Sequence, residues 1–314
     1  MQDFDYQEAF SRNLGWLSEL DQAKVANYRI ALPGLGGVGG HHLHSLLRLG
    51  FQKFHIADMD TFDLANFNRQ MGAQVSTIGK EKTQVLYDMA KDINPNAEIK
   101  IFSQGVHEGN MPSFLNGVDL VIDCLDVFVL ETRRKLYGLA EKMKIPVISA
   151  APLGMGTSVM VFSPEKMPFN RYFAFDDQNL KEEEMVLYFL AGMSPWIMHA
   201  SYLAAPEKIV LRQRKVSSLN IGCSSAASAA AAIALKLCIQ RGKILYAPWG
   251  YQVDFFHNKL KKFWRPFGNR NLLQKLLIRY MNRRFAKEPV VVAQHASQSS
   301  KKHSGSEAAR SYLG

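Results

Sequence analysis

The chain has 314 residues, 47% of them hydrophobic and 21% charged, the composition of a globular protein with one large domain or two modest ones. Cys124, Cys223 and Cys238 stand far apart and form no C-x-x-C, which excludes a thiolate zinc site and a disulfide framework and suits a reducing cytoplasm. The net charge of +10 is uneven: 13 Lys and Arg after Phe255 face only Glu288 and Glu307, so the basicity belongs to the C-terminal segment and not to the body.

Residues 1–28 read as an N-terminal helical arm, with Tyr6, Phe10 and Leu14 at helical spacing and no apolar core of a signal peptide. Arg12, within this arm, reads by itself as a solvated charge. From 29 to 150 strands alternate with helices. Strands are expected at 29–33, 54–58, 98–102, 118–123 and 146–150, and helices at 40–49, 79–91 and 130–143. That rhythm predicts an α/β fold with a Rossmann-like, mostly parallel sheet flanked by helices, joined to an antiparallel extension in the C-terminal half.

The first strand runs into Gly34-Leu35-Gly36-Gly37-Val38-Gly39, and Gly34, Gly36 and Gly39 satisfy G-x-G-x-x-G. The first glycine allows the tight turn, the second lets backbone N–H groups approach a phosphate, and the third lets helix and strand pack closely. The following helix N-terminus favours an anion. Asp58 then closes the second strand where an acid is expected to hold a ribose. The strand, the helix and the acid together make this a nucleotide site. Beyond it come Asp60, the run Asn66-Phe67-Asn68-Arg69-Gln70, Gly79 with Lys82, and Asp123-Cys124-Leu125-Asp126 at the end of a strand. Hydride transfer from a dinucleotide has no need of an arginine, a lysine and a carboxylate around one polyphosphate. Cleavage of ATP between its α- and β-phosphates does, because cations neutralise the leaving pyrophosphate and a carboxylate holds Mg²⁺.

Further on, Gly154–Phe162 reads as a strand after a glycine-rich turn. Met185–Ala205 carries no Asp, Glu, Lys or Arg, but Ser194, Pro195 and His199 interrupt it, so it reads as a buried helix, turn and helix rather than a membrane span. Ser224–Gln240 is an alanine-rich helix, either central or at a subunit interface. Residues 256–290 read as a basic amphipathic helix with a stripe of Leu272, Leu273, Leu276 and Leu277, either docked with its cationic face in solvent or touching RNA or an anionic membrane. Residues 291–314 read as a disordered tail. His41 and His44 lie one helical turn apart, but no Asp or Cys completes a ligand set.

These motifs, in this order, resemble those of the ThiF/MoeB/HesA adenylyltransferases, relatives of ubiquitin-activating enzymes, over a stretch from about Phe10 to about Phe255. The resemblance implies ATP and Mg²⁺, and transfer of AMP to a carboxylate: the C-terminal glycine of a ubiquitin-like or sulfur-carrier protein, or a small acid. It implies a homodimer; the cysteines suit the cytoplasm, with a position peripheral to a membrane if the basic helix contacts lipid. Gly34, Gly36, Gly37, Gly39 and Asp60 belong to the matching nucleotide-site text. Asp58 would hold the ribose; Asn66 and Arg69, within the run that includes Asn68, would contact the triphosphate; Lys82 would steady its charge; and Asp126 would coordinate Mg²⁺. Arg12 matches an arginine that reaches the partner subunit's ATP. The zinc-binding C-x-x-C pairs of MoeB-type members are missing, so no zinc is expected, and Val127 stands where many members have asparagine. No cysteine lies in the crossover region at about 165–215, so the enzyme is expected to stop at the acyl-adenylate or to pass it to a nucleophile from a partner or small molecule. Cys223, at the start of the alanine-rich helix, reads either as a small buried residue or as a nucleophile. The acid is expected near Gly154–Ser158. Three other readings stay open: a zinc-free enzyme activating a carboxylate on a tRNA nucleoside, an NAD(P)-dependent oxidoreductase, and a non-catalytic nucleotide-dependent binding module.

Overall fold

The computed structural model describes residues 4–176, 180–205 and 216–285. Helix α1 (Tyr6–Ala9) and a 3-10 turn (Ser11–Asn13) precede helix α2 (Glu19–Asn27), so the arm is two short helices and not one. Gly15 at φ 104° breaks it, and Ser18 restarts it with a capping box to Asp21. The arm docks on the far end of helix α3 (Gly39–Arg48): Tyr6 donates to the Gly50 carbonyl (2.7 Å) and Asn13 to that of Leu49 (3.1 Å).

Five parallel strands, β1 (Arg29–Pro33), β2 (Lys53–Ala57), β3 (Glu98–Phe102), β4 (Leu120–Asp123) and β5 (Val147–Pro152), continue into antiparallel β6 (Gly156–Phe162), β7 (Trp249–Asp254) and β8 (Lys259–Trp264). Their order is β3-β2-β1-β4-β5-β6-β7-β8. The order reverses between β1 and β4, and a crevice opens at such a reversal on the carboxyl edge of the strands. Alternate residues face opposite sides: Ile30 and Leu32 enter one core, Ala31 the other. The first core packs under α2, α3, α4 (Lys82–Ile93) and α9 (Asn220–Ile239); the second under α5 (Met111–Leu115), α6 (Leu130–Lys142), α7 (Phe169–Phe173) and α8 (Glu182–Met193).

The alanine-rich α9 is long and apolar enough to cross a membrane, yet half of it is buried against β5, β6 and α3. The charge-poor stretch is α8, a turn and a 3-10 helix (Met198–Tyr202), as its composition predicts. The C-terminal segment departs from expectation. Instead of one helix over 256–290, it forms β8, a 3-10 turn (Gly268–Arg270) and α10 (Leu272–Phe285), and the tail expected at 291–314 lies outside the described residues. Lys259, Lys261 and Lys262 belong to the exposed edge strand, where lysines blunt pairing with other chains. The leucine stripe also faces the other way. Leu272, Leu273 and Leu276 are exposed, while Gln274, Ile278 and Met281 are buried. The reason is polar: Gln274 donates to the Ala191 carbonyl of α8 (2.9 Å) and accepts from Arg265 (3.2 Å), so hydrogen bonds set the docked face.

Candidate active site

Pro33 and Ala57 lie opposite in register, so Gly34 and Asp58 leave the sheet side by side. A Cβ on Gly34 would sit 2.6 Å from the Cys124 carbonyl oxygen, and one on Gly39 would sit 2.0 Å from the carbonyl oxygen of Gly34. No side chain fits at either place. Asp58 fastens the turn, accepting from the N–H groups of Leu35 (2.7 Å) and Asp60 (2.9 Å). Around this turn opens a cleft of about 1050 Å³ along the carboxyl ends of β1, β2, β4 and β5. Gly34, Gly36, Gly37 and Asp58 line it, as do Asp60, Asn66, Arg69, Lys82 and Asp126. Two expected residues fall outside. Gly39 is spent on packing. Asn68 instead bridges, donating to the Ser218 carbonyl (2.9 Å) and accepting from Arg69 (2.9 Å).

The charges are arranged before any ligand is bound. Lys82 is buried and paired with the exposed carboxylate of Asp60 (2.9 Å). The carbonyl of Arg69 accepts from the His41 ring (3.0 Å), whose basicity burial lowers. Asp126 is exposed; one of its oxygens accepts from the Phe128 N–H (3.0 Å), and the other has no partner among the described residues. Among the described residues no three His, Cys, Asp or Glu gather into a metal site, so His41 and His44 are not ligands of such a set. A single carboxylate beside phosphate oxygens is nevertheless how Mg²⁺ is commonly held, so Asp126 fits that ion.

A model of the ThiF family matches residues 10–271. The chain belongs to the ThiF family. Its sequence is 34% identical over 152 residues to the tRNA threonylcarbamoyladenosine dehydratase of Haemophilus influenzae, covering 48% of this chain and 57% of that protein. It is 30% identical over 142 residues to the molybdopterin-synthase adenylyltransferase of Salmonella typhimurium, covering 45% and 56%. The chain thus spans little more than half the length of these curated relatives. The E. coli MccB structure with ATP superposes with a TM-score of 0.61 at 19% identity, over 82% of this chain and 70% of that one, which shows a shared fold.

Other parts of this ThiF-family chain were less legible. Arg12 is exposed on the arm that docks at Leu49 and Gly50, the end of α3 remote from the glycine turn by the helix length of about 15 Å, and it lines no part of its own cleft. Of Gly154–Ser158 only Gly154 reaches the cleft; Ser158 is buried, its hydroxyl donating to the Met193 carbonyl. Cys223 lines the cleft floor with its sulfur 3.4 Å from where a Gly37 Cβ would stand. Burial raises its pKa, while a Ser218 contact and the nearby Arg69 pull it down. Cys124 is buried with its pKa raised further.

Arg133 escaped sequence reasoning. Fully enclosed, it donates to Asp123 (2.8 Å) and to the carbonyls of Leu125 (2.6 Å) and Asp126 (3.1 Å), with Phe189 stacked over the guanidinium (4.6 Å). It therefore shapes the loop that presents Asp126. The available signal was its place one helical turn into α6, at helical spacing from Leu130 and Leu136 on the face that packs inward. His199 was passed over as a mere interruption of an apolar run. It lines the cleft with its Nδ1 lacking a partner among the described residues, and burial lowers its pKa against the pull of Asp254.

Proposed function

We propose that this chain is an ATP-dependent adenylyltransferase that activates a carboxylate as acyl-AMP. The observation that carries the reading is the convergence of Arg69, Lys82 and Asp126 on one cleft around a turn closed to side chains at Gly34 and Gly39. The substrate carboxylate oxygen attacks the α-phosphorus, the bond to the bridging oxygen breaks, and pyrophosphate leaves with that electron pair. Asp58 holds the ribose. Asn66 and Arg69 contact the phosphates, and Lys82 takes up charge as Asp60 is displaced toward water. Asp126 would hold Mg²⁺, which when bound would supply neutralisation of phosphate charge. Lacking a crossover-loop cysteine among the described residues, the chain passes acyl-AMP to an external nucleophile.

The acid is the C-terminus of a carrier protein, as for relatives named molybdopterin-synthase and ThiS adenylyltransferases, or a small acid. A second reading, activation of a carboxylate on a tRNA nucleoside, is favoured by the dehydratase relatives and by the exposed cations Lys275, Arg279 and Arg283 on α10, which would meet RNA; an anionic membrane offers the same charge. The remote docking of Arg12 supports a homodimer in which it serves the partner's nucleotide. Three free, buried cysteines suit a cytoplasmic setting. An NAD(P) oxidoreductase would leave the buried Lys82 without a task, and the intact set of cleft residues weighs against a binding module.

The test is Mg²⁺-dependent ATP–pyrophosphate exchange with candidate acids and tRNA, with Asp126→Ala as control. Exchange that requires one acid and disappears in the variant is expected. Binding of NADH in place of ATP–Mg²⁺ would reject the reading.

A further inference from the structure

The cleft has two chemically distinct linings. At the ends of β1, β2 and β4 it carries Arg69, Lys82 and Asp126. Its other wall is apolar: Phe189, Leu190 and Met193 of α8, with Ile197 and Leu203 beyond. Helix α10 completes that wall by contributing Tyr280, Met281 and Arg284, although it begins at Leu272, just past residue 271 where the family match ends. What the family shares therefore does not account for α10.

This helix is fixed and not draped. Buried Gln274 is hydrogen-bonded to Ala191 and Arg265. Asn269, in the turn before α10, donates to the carbonyls of Phe173 (3.1 Å) and Tyr188 (2.8 Å), and Ile278 and Met281 pack on Leu187 and Ala191. Side chains on a rigidly seated helix hold the fixed geometry that recognition needs. Tyr280 and Arg284 stand one turn apart and are exposed toward the cleft. Among the described residues Arg284 has no hydrogen-bond or ion-pair partner. An unpaired guanidinium over an apolar compartment is a fork for a carboxylate or phosphate. The triphosphate already has Arg69 and Lys82 for its charge, and a neutral adenosine needs no cation. The cleft is also at the upper end of the usual range for a single small ligand, about 300–1000 Å³, which leaves room for a second reactant.

We infer that α10 is the specificity wall for the acid substrate, and that this acid has an apolar body and a second anionic group bound by Arg284. The inference rests on the adenylation reading and deepens it. The substrate class is then an apolar dicarboxylate, or an apolar acid with a distal phosphate, whose far anion anchors the body while its other carboxylate reaches the α-phosphate.

The experiment uses the full chain with Mg²⁺ and α,β-methylene-ATP, which binds without reacting, titrated with octanoate and octanedioate. Octanedioate should bind about tenfold or more tightly than octanoate, the worth of one charge-assisted contact. Arg284→Gln should abolish that preference while leaving the affinity for α,β-methylene-ATP within about twofold, a split that merely structural damage would not give. Tyr280→Ala should weaken both acids alike. Equal binding of the two acids by the native chain, or binding of neither, overturns the inference while the adenylation reading stands. A loss of nucleotide affinity in Arg284→Gln as large as its loss of diacid affinity would make α10 a wall for ATP and also overturn it. Failure of the native chain to bind α,β-methylene-ATP removes the adenylation reading itself, and this inference with it.

Discussion

Two cation–carboxylate pairs flank the cleft, one at the end of β2 and one at the end of β4, and their exposures differ. Lys82 has 6% of its side chain exposed and its partner Asp60 has 64%. Arg133 and Asp123 have 3% and 2%. In the first pair the carboxylate can return to water while the ammonium stays in the cleft, so its counter-ion is exchangeable for a polyphosphate at small cost. The second pair cannot open without stranding a charge away from water. It is also fully engaged, since Tyr137 donates to the same Asp123 oxygen (2.9 Å). One pair is a replaceable contact, the other an architectural clasp on the loop that carries Asp126.

The contrast is open to direct attack. Asp123→Ala leaves Arg133 buried and unpaired and should cost about 3–5 kcal/mol of stability in urea unfolding. The double variant Asp123→Leu/Arg133→Met should recover most of it. A loss under about 1 kcal/mol for Asp123→Ala would erase the distinction between the pairs. Lys82→Met keeps the volume, and its unfolding free energy should stay within about 1 kcal/mol of the native chain. Its pyrophosphate exchange should fall about 100-fold, because a preorganised cation is lost from the developing charge. Stability loss without loss of exchange would reverse the assignment of the pairs.

His42 sharpens the comparison from a third side, as a buried polar group with no pair at all. Both ring nitrogens lack partners among the described residues, and burial brings its pKa down from 6.5 to about 3. Between those values the unfolded chain binds a proton that the folded chain refuses, so this residue makes stability fall as pH drops from about 6.5 toward 3. His42→Leu should remove that acid-side loss and gain about 1 kcal/mol at pH 7, read as a melting temperature less sensitive to pH between 7 and 5.

Period and punctuation carried most of the sheet. Strands expected at 29–33 and 98–102 are found at those limits, and α6 ends within one residue of its expected 130–143. Local rules decide such elements. The cleft residues from Gly34 to Lys82, and Asp126, were legible because their spacing follows from the turn and the strand ends. Gly39 and Asn68 were placed with them although they contact their own chain, since a motif does not separate groups that face a ligand from groups that hold those that do. Arg133, Tyr280 and Arg284 were illegible as site residues for a different reason. Each reaches the cleft through packing between elements far apart in sequence. Likewise, the docked face of α10 was misjudged because one buried glutamine outweighs a row of leucines.

The steric contact of Gly34 with Gly39 has a consequence for ligand entry. A turn whose neighbouring backbone leaves space for only one arrangement is already in its binding shape when a ligand arrives. The conformational freedom that a looser loop would surrender to an incoming phosphate was surrendered here during folding. Nucleotide capture should therefore need no closing motion of the turn, and its speed should be set by diffusion into the cleft and by the cations that draw polyphosphate toward it.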